Sequence, residues 1–253
     1  MTSKTAVDIS TVASIDHREA HGLALDQYDR FAGLLAQVAP DDWRRGTDCE
    51  GWTIRDLAGH MVGAMRSAAS LREMLRQRKM ITARAKADGG NETDHMTAVQ
   101  IELTAGLGPD ELVMECRRLV EPAANGRKRI PAPMRKFVRF PVEIGSISET
   151  WSLGYLVDVI LTRDTWMHRV DLALALGRPV EHGDTDRRIV ADVVAEWARR
   201  HGQPFDLLLT GGSGSHYRSG SPEAKIEMDA VEFCRTLSGR AVGEGLLKQE
   251  VPF

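Results

Sequence analysis

The stretch LGYLVDVILTRDTWMHRVDLALA, which runs from Leu153 to Ala175, predicts one long helix around which the rest of the chain is organised. Its apolar residues recur at intervals of three and four, the spacing of a helix with one buried stripe. Three polar residues, Asp164, His168 and Asp171, fall inside that stripe. The stripe itself consists of Leu153, Leu156, Val157, Ile160, Met167 and Ala175. The sequence therefore predicts ionisable groups that face a helical core.

Two of these groups, Asp164 and His168, are four residues apart, so on a helix their side chains point to the same place. A carboxylate that faces a core is costly unless it is paired or bound to a metal. The pair therefore indicates either part of a metal site or an Asp–His hydrogen bond on a partly wet face, and the spacing leaves both open.

A second helix is predicted from about Ile54 to Gln77, because Thr53 and Asp56 have the spacing of a capping box and an apolar stripe follows them. His60 lies at the margin of this stripe. A lone histidine in such a place is more often an ordinary packed residue than a ligand. It becomes a candidate ligand if another helix presents partners opposite it.

The four longer helices predicted before Gly177 have lengths typical of a four-helix bundle, in which facing helices often build metal sites. In such a bundle His60, Asp164 and His168 would supply two imidazoles and one carboxylate. Three protein ligands with open positions are typical of a catalytic metal site. The ligand set suits zinc, nickel or iron(II) without choosing among them. Asp171 either orients an imidazole from behind or pairs with a nearby arginine.

The remaining segments before Gly177 carry weaker signals. Residues 1 to about 15 are small and polar, and we expect them to be loosely held. His17 and His21, at the start of the first helix, have no apolar stripe around them and are interpreted as solvated. The basic, proline-rich segment 127–141 is interpreted as a connecting loop, with contact to an anion as the alternative. The other two bundle helices are predicted at about 16–38 and 111–124.

The pattern changes after Gly177 and Pro179, which predicts a helical domain over residues 1–180 and a small α/β domain over residues 181–253. The elements predicted in the second domain are a helix at about 185–201, strands at 205–210, 216–218 and 224–228, and a helix at 230–237.

Composition narrows the class of protein. The chain has 253 residues, 42% of them apolar, and a net charge of −3, which argues against a nucleic-acid partner and against a membrane surface. Its three cysteines form no CxxC pair, and no apolar run has the length of a membrane span or a signal peptide. We therefore expect a soluble, cytoplasmic protein. A homodimer is compatible with the sequence, which does not determine the oligomeric state.

Four segments carry a resemblance to a known family. The runs TDCEGWTIRDLAGHMVG, Thr47 to Gly63, and TRDTWMHRVDLALALGRP, Thr162 to Pro179, resemble two signature segments of the mycothiol-dependent maleylpyruvate isomerase family. That family belongs to the wider DinB-like metalloenzymes. The runs LLLTGGSGSHYRSG, Leu207 to Gly220, and DAVEFCRTLSGR, Asp229 to Arg240, are similar to its C-terminal domain.

This resemblance implies a mainly α fold, with a DinB-like four-helix bundle followed by a small α/β, SCP2-like C-terminal domain. It implies that His60, Asp164 and His168 hold a divalent metal, most often zinc. The isomerase has glutamate at the position of Asp164, so the shorter side chain departs from the family pattern and weakens the case for maleylpyruvate as substrate. The resemblance also implies that Arg218 or Arg240 binds the cofactor or a substrate carboxylate.

The activity implied is that of a metal-dependent transferase or isomerase, with mycothiol or a similar low-molecular-weight thiol as cosubstrate. Coordination to a metal depresses the pKa of a thiol, and the thiolate then attacks a small electrophile. Cys49 could offer a thiol of its own, although a small packed residue is the more usual role in such a turn. No catalytic residue is assigned. The alternatives are a non-catalytic metal- or ligand-binding protein and a metal-dependent hydrolase.

Overall fold

A computed structural model of the chain describes residues 6–90, 92–144, 147–222 and 225–253. The chain divides into a helical unit, residues 17–179, and a second unit that joins residues 6–16 to residues 180–253. The sequence assigns residues 6–16 differently, because it places them with the helical domain, and its division into two domains stays a prediction. Among the described residues, no helix is long and apolar enough to cross a membrane.

The second unit contains a four-stranded sheet whose first strand, β1 (Val7–Asp8), comes from the N-terminal segment. Ile9 and Ile15 are buried, and the backbone N–H of Ile15 donates to Asp192, 2.9 Å away. The expectation of a loosely held segment is therefore wrong for residues 6–16, while residues 1–5 lie outside the described part. The sequence missed this strand because it is two residues long and gains its partner only from the distant end of the chain.

The helical unit begins with α1 and ends with α7, and a two-stranded hairpin precedes α7. Its elements are α1 (His17–Leu35), α2 (Ile54–Ala69), α3 (Leu71–Asp88), α4 (Glu92–Thr104), α5 (Pro109–Lys128), α6 (Ala132–Phe137), β2 (Arg139–Ile144), β3 (Ile147–Ser152) and α7 (Leu161–Ala175). A π-helical turn, Tyr155–Ile160, leads directly into α7. The predicted long helix over 153–175 is thus helical but not uniform.

Residues of α1, α2, α5 and α7 share one hydrophobic core. The contact between α2 and α5 is unusually close, since a Cβ added to Gly126 would lie 1.9 Å from the carbonyl oxygen of Ala68. Only a glycine permits this approach without a shift of the backbone. Core residues include Phe31, Leu35, Ile54, Leu57, Met61, Met65, Leu112, Leu119 and Leu172.

Two predictions about this unit are wrong. The second helix does not continue to Gln77, because the backbone of Ser70 is extended and its side chain accepts from the N–H of Glu73 to cap a new helix, α3. The segment 127–141 is not a loop, because α5 continues to Lys128 and a short helix and strand follow. Proline is tolerated at both places, in the first turn of α6 and in a two-stranded hairpin.

The second unit continues with α8 (Asp184–His201), β4 (Phe205–Thr210), β5 (His216–Ser219), β6 (Lys225–Asp229) and α9 (Ala230–Leu237). The strand order is β1-β5-β4-β6, with β4 antiparallel to β5 and parallel to β6. The predicted strands and helices are confirmed to within one or two residues, except that Ala224, the first residue of the last predicted strand, lies outside the described residues. The chain is therefore mainly helical with a small sheet region.

Candidate metal centre

The helix that carries Asp164 and His168 is buried on nearly all sides. The prediction of one apolar stripe is wrong, because polar residues of α7 outside that stripe, such as Arg163 and Arg169, are also buried. Buried polar groups need partners, and Arg169 donates to the side-chain oxygen of Gln27 at 3.0 Å. The periodicity failed here because polar residues paired inside the unit occupy positions that the sequence assigns to the surface.

The structure brings together the three predicted ligand residues. His168 Nε2 lies 3.3 Å from one carboxylate oxygen of Asp164, and His60 Nε2 lies 4.0 Å from the other. The two imidazole rings meet edge to face with their centroids 5.0 Å apart. One ligand atom from each residue lies within 4.8 Å of the others. Two imidazoles and a carboxylate thus converge from α2 and α7.

His60 is not at a margin, as its place in the stripe indicated, but buried, with 3% of its surface exposed. Neither of its ring nitrogens has a hydrogen-bond partner among the residues that the structure describes. Burial, and next the neighbouring His168, lower the pKa of His60 to about 4, so its imidazole is neutral. A buried nitrogen without a partner is costly, and a cation between the three side chains would remove that cost. The residues present therefore fit a metal ion.

The second imidazole has a different environment. His168 Nδ1–H donates to Asp171 Oδ2 at 3.0 Å, and Asp171 is completely buried. Burial alone would lower the pKa of His168, but Asp164, Asp171 and Cys49 together raise it well above the ordinary value. The first of the two roles left open for Asp171, contact with an imidazole, is therefore present. A carboxylate behind a histidine in this way is common at metal sites.

A turn before α2 closes the cluster on one side. Gly51 adopts a left-handed backbone, with φ of 76°, and a bridge joins Gly46 to Thr53. The turn places Trp52 against both imidazoles, with centroid distances of 5.1 Å to His60 and 5.9 Å to His168. Sequence reasoning missed Trp52, because no spacing rule connects a turn residue to two helices.

The same turn carries Cys49, which is half-buried. Its thiol donates to Asp171 Oδ2 at 3.4 Å, and its sulfur lies 3.8 Å from His168 Nδ1. Cys49, His168 and Asp171 thus form a second convergent group that shares His168 with the first. The two roles that the sequence left open for Cys49 are both compatible with its position, because the residue packs against the hydrophobic core and its thiol contacts His168 and Asp171.

Comparison with known proteins assigns the chain to a family. A sequence profile described as the mycothiol maleylpyruvate isomerase N-terminal domain matches residues 24–173, more than half of the chain. The chain belongs to the mycothiol maleylpyruvate isomerase family. The matched span contains His60, Asp164 and His168, and the resemblance inferred from the sequence is confirmed. Its family relatives are enzymes, so the chain is classed with enzymes.

Two solved structures have the fold of this family member. A mycothiol-dependent maleylpyruvate isomerase is 17% identical, with a TM-score of 0.55, over 93% of this chain and 92% of the other. A histidine-to-alanine mutant described under the same enzyme name is 16% identical with the same TM-score and coverage. At these identities the likeness concerns the fold alone. No curated protein sequence matches the chain.

The other sequence-predicted residues of this family member lie elsewhere. Arg218 is exposed on β5, and Arg240 follows α9 and donates to Ser238 at 3.2 Å, so both belong to the second unit. Their role in binding cofactor or substrate stays a prediction. His17 and His21 are not simply solvated. His17 Nδ1 lies 2.8 Å from Asp158, and His21 Nε2 lies 3.0 Å from the side-chain oxygen of Asn125.

Proposed function

We propose that this chain is a metal-dependent enzyme that uses mycothiol, or a similar low-molecular-weight thiol, to isomerise a small electrophile or to join the thiol to it. The proposal is supported by membership of the family and by the convergence of His60, Asp164 and His168. The single observation that carries it is the buried His60 ring, whose two nitrogens lack partners among the described residues while Nε2 faces Asp164.

His60, Asp164 and His168 would hold the metal. Their two nitrogens and one oxygen suit zinc, nickel or iron(II), and the family resemblance favours zinc among these. A divalent metal bound there would supply a Lewis acid that depresses the pKa of a thiol sulfur. Asp164 is the most accessible of the three, with a side chain that is 25% exposed, so we place the approach of the thiol on its side. The shorter reach of aspartate leaves the substrate open, and maleylpyruvate itself is not proposed.

The surrounding residues would prepare this site in three ways. The neutral imidazole of His60 keeps a lone pair available at neutral pH. Asp171 holds the Nδ1–H of His168, so that Nε2 of that ring points to Asp164. Trp52 covers both rings and excludes water from that side. The neutral state of His60 and the cover by Trp52 favour binding of a cation over protonation, whereas Asp171 contributes by orienting His168.

Finer features of the family extend this proposal. We infer that α1, α2, α5 and α7 form a DinB-like four-helix bundle within residues 1–180, and that residues 181–253 form an SCP2-like domain. Arg218 or Arg240 would bind a carboxylate of the cofactor or substrate in bidentate fashion. We further propose a cytoplasmic enzyme without a nucleic-acid partner, and a homodimer as the assembly to test first.

Metal analysis combined with thiol titration tests the proposal. We expect the purified protein to hold about one divalent ion per chain, and His60→Ala and His168→Ala to lose it. His21→Ala, which removes an imidazole of the same unit outside the cluster, is the matched control and should retain the ion. Cobalt(II)-loaded protein should develop a sulfur-to-metal charge-transfer band when mycothiol or a related thiol is added.

Three outcomes would count against the proposal. Absence of any metal from the wild type would overturn it. Metal binding without affinity for any low-molecular-weight thiol would favour the hydrolase alternative. A melting temperature that falls sharply on removal of the metal, together with no turnover of electrophiles, would favour a protein in which the metal only supports the fold.

A further inference from the structure

Two glutamines are buried beside His60, on helices that the sequence did not connect with the site. Gln77 of α3 is 2% exposed and Gln100 of α4 is 4% exposed. Buried amides in a helical core are uncommon and require partners. Neither residue belongs to the ligand set of the proposed function, and neither contributes to the hydrophobic core. Their burial therefore requires a different account.

The hydrogen bonds of Gln77 determine how its amide is oriented. Its Nε2 donates to the carbonyl oxygen of Gly63 at 3.0 Å and to Glu73 Oε1 at 3.1 Å. Both amide hydrogens are used, so the oxygen of Gln77 is left to accept, and it does so from Gln100 Nε2 at 3.3 Å. Gln100 must therefore present its own oxygen at the other end of its amide.

That oxygen is the atom left over. Gln100 Oε1 is buried and has no hydrogen-bond partner within the described ranges, and the same holds for both ring nitrogens of His60. One of these three atoms, Gln100 Oε1, can only accept a hydrogen bond. The other two are the ring nitrogens of His60, and in the neutral imidazole one of them can donate. Gln100 nevertheless lies close enough to the ring of His60 to raise its pKa, although this effect is smaller than those of burial, His168 and Asp164.

The backbone is shaped to admit this glutamine. Gly63 follows His60 by three residues on α2, and so lies on the same face of the helix. A Cβ added to Gly63 would lie 2.6 Å from Cβ of Gln100, which means that a larger residue would push the glutamine away. The side chain of Gln100 therefore packs on Gly63, one turn from His60 on the same face of α2.

We propose that Gln100 is a positioning residue for His60, whose amide oxygen accepts the Nδ1–H of the imidazole and so leaves Nε2 with its lone pair facing Asp164. This inference rests on the proposed function and deepens it. Gln77 orients Gln100, and each imidazole of the cluster then has one partner behind it, Gln100 for His60 and Asp171 for His168. A partner of this kind selects the tautomer and orientation of a metal-binding histidine.

Nitrogen-15 NMR of the histidine rings, with zinc(II) as the probe, tests the inference directly. In zinc-loaded wild type we expect His60 to carry its proton on Nδ1 and to bind zinc through Nε2. Gln100→Met preserves length but removes the acceptor, and it should weaken zinc binding about 10- to 100-fold and broaden or shift the Nδ1–H signal. Gln100→Glu keeps an acceptor oxygen and should retain the wild-type tautomer.

The matched control is Thr104→Val, one turn further along α4. Thr104 is buried, and its hydroxyl donates to backbone oxygens of its own helix, Gln100 O and Ile101 O, so this change should leave zinc affinity unaltered. Equal affinities for Gln100→Met and Thr104→Val would overturn the inference. So would a wild-type His60 that binds zinc through Nδ1, an observation that does not depend on whether any variant folds.

Failure of this inference is distinguishable from failure of the proposed function. If the wild type binds no zinc, both are overturned together. If the wild type binds zinc through His60 and His168 but the Gln100 variants behave as wild type, the proposed function stands and only the role of Gln100 is lost.

Discussion

The completely buried carboxylate of Asp171 lies 3.0 Å from Nδ1 of His168, and His168 precedes Asp171 by one turn of α7. This contact makes His168 the better oriented of the two imidazoles and accounts for part of its raised pKa. It also makes Asp171 the residue at which the arrangement is most easily disturbed without removing a ligand.

We expect Asp171→Asn to weaken zinc binding about 10- to 100-fold, because an amide can donate to Nδ1 and so select the wrong tautomer. A competition titration with a chromophoric chelator measures the change. The matched control is Asp206→Asn, which alters an Asp–His pair of similar length, 2.7 Å to His216, in the second unit. Equal effects of the two substitutions would show that Asp171 has no special relation to the metal.

The pH dependence of zinc affinity should report a single proton. The pKa of His168 is raised well above its ordinary value by Asp164, Asp171 and Cys49, so this ring keeps its proton to higher pH than His60 does and must lose it to bind a metal. The pKa of His60 is about 4, so that ring has already lost its proton. Affinity should therefore rise about tenfold per pH unit between about pH 5 and 7. A slope of two would mean that both rings are protonated, and a flat profile that neither is.

Glu115 links two helices and should stabilise the protein in a pH-dependent way. It accepts from Arg118 at 2.7 Å and from Arg66 of α2 at 2.8 Å, and the bond from Arg118 is the main cause that lowers its pKa from 4.5 to about 2. A lowered folded-state pKa gives stability that is present above about pH 4.5 and is lost as the pH falls towards 2.

Replacement of this residue, Glu115→Gln, should therefore lower the free energy of unfolding by about 1 kcal/mol at pH 7, and by progressively less in acid. Urea denaturation at several pH values measures the difference. Glu121→Gln, at an exposed position on the same helix, is the control and should have little effect at any pH. A deficit for Glu115→Gln that does not shrink in acid would contradict the assignment.

The close contact of α2 and α5 makes a prediction about packing. In Gly126→Ala the new methyl would meet the carbonyl of Ala68, so we expect a loss of about 1 to 3 kcal/mol. Gly22→Ala is the control of opposite sign, because nothing lies within 4 Å of the added atom and α1 should gain up to about 1 kcal/mol of helix propensity. Thermal unfolding of both variants tests the pair, and a neutral Gly126→Ala would show that the helices can move apart freely.

Local patterns in the sequence account for much of the helical unit. The capping box at Thr53 and Asp56 is present, with the Thr53 N–H 3.0 Å from the Asp56 carboxylate, and it starts α2 at the expected residue. The four-residue spacing of Asp164 and His168 brought their side chains together as expected. These features depend only on backbone geometry within one helix, so they follow from the spacing of the residues in the sequence.

The helix break at Ser70 and the hairpin after α6 are two features that local sequence patterns did not predict. An apolar stripe continues past Ser70, so periodicity alone joins α2 to α3. The hairpin strands gain their stability from each other. The Gly-Ser dipeptide at 145–146, which separates the two strands in the sequence, is a hairpin signal that our sequence interpretation did not use.

The sequence by itself determined which residues share a helix face, and from the two signature runs it determined the family. Only the tertiary structure decided that His60 is buried, that its Nε2 faces Asp164, and that Gln100 packs on Gly63, one turn from His60. The physical reason is that helix formation is governed by neighbours a few residues away, whereas the burial of a side chain depends on which distant helices pack over it. Gln100 is 40 residues from His60 in the sequence and becomes its neighbour only when α4 packs on α2.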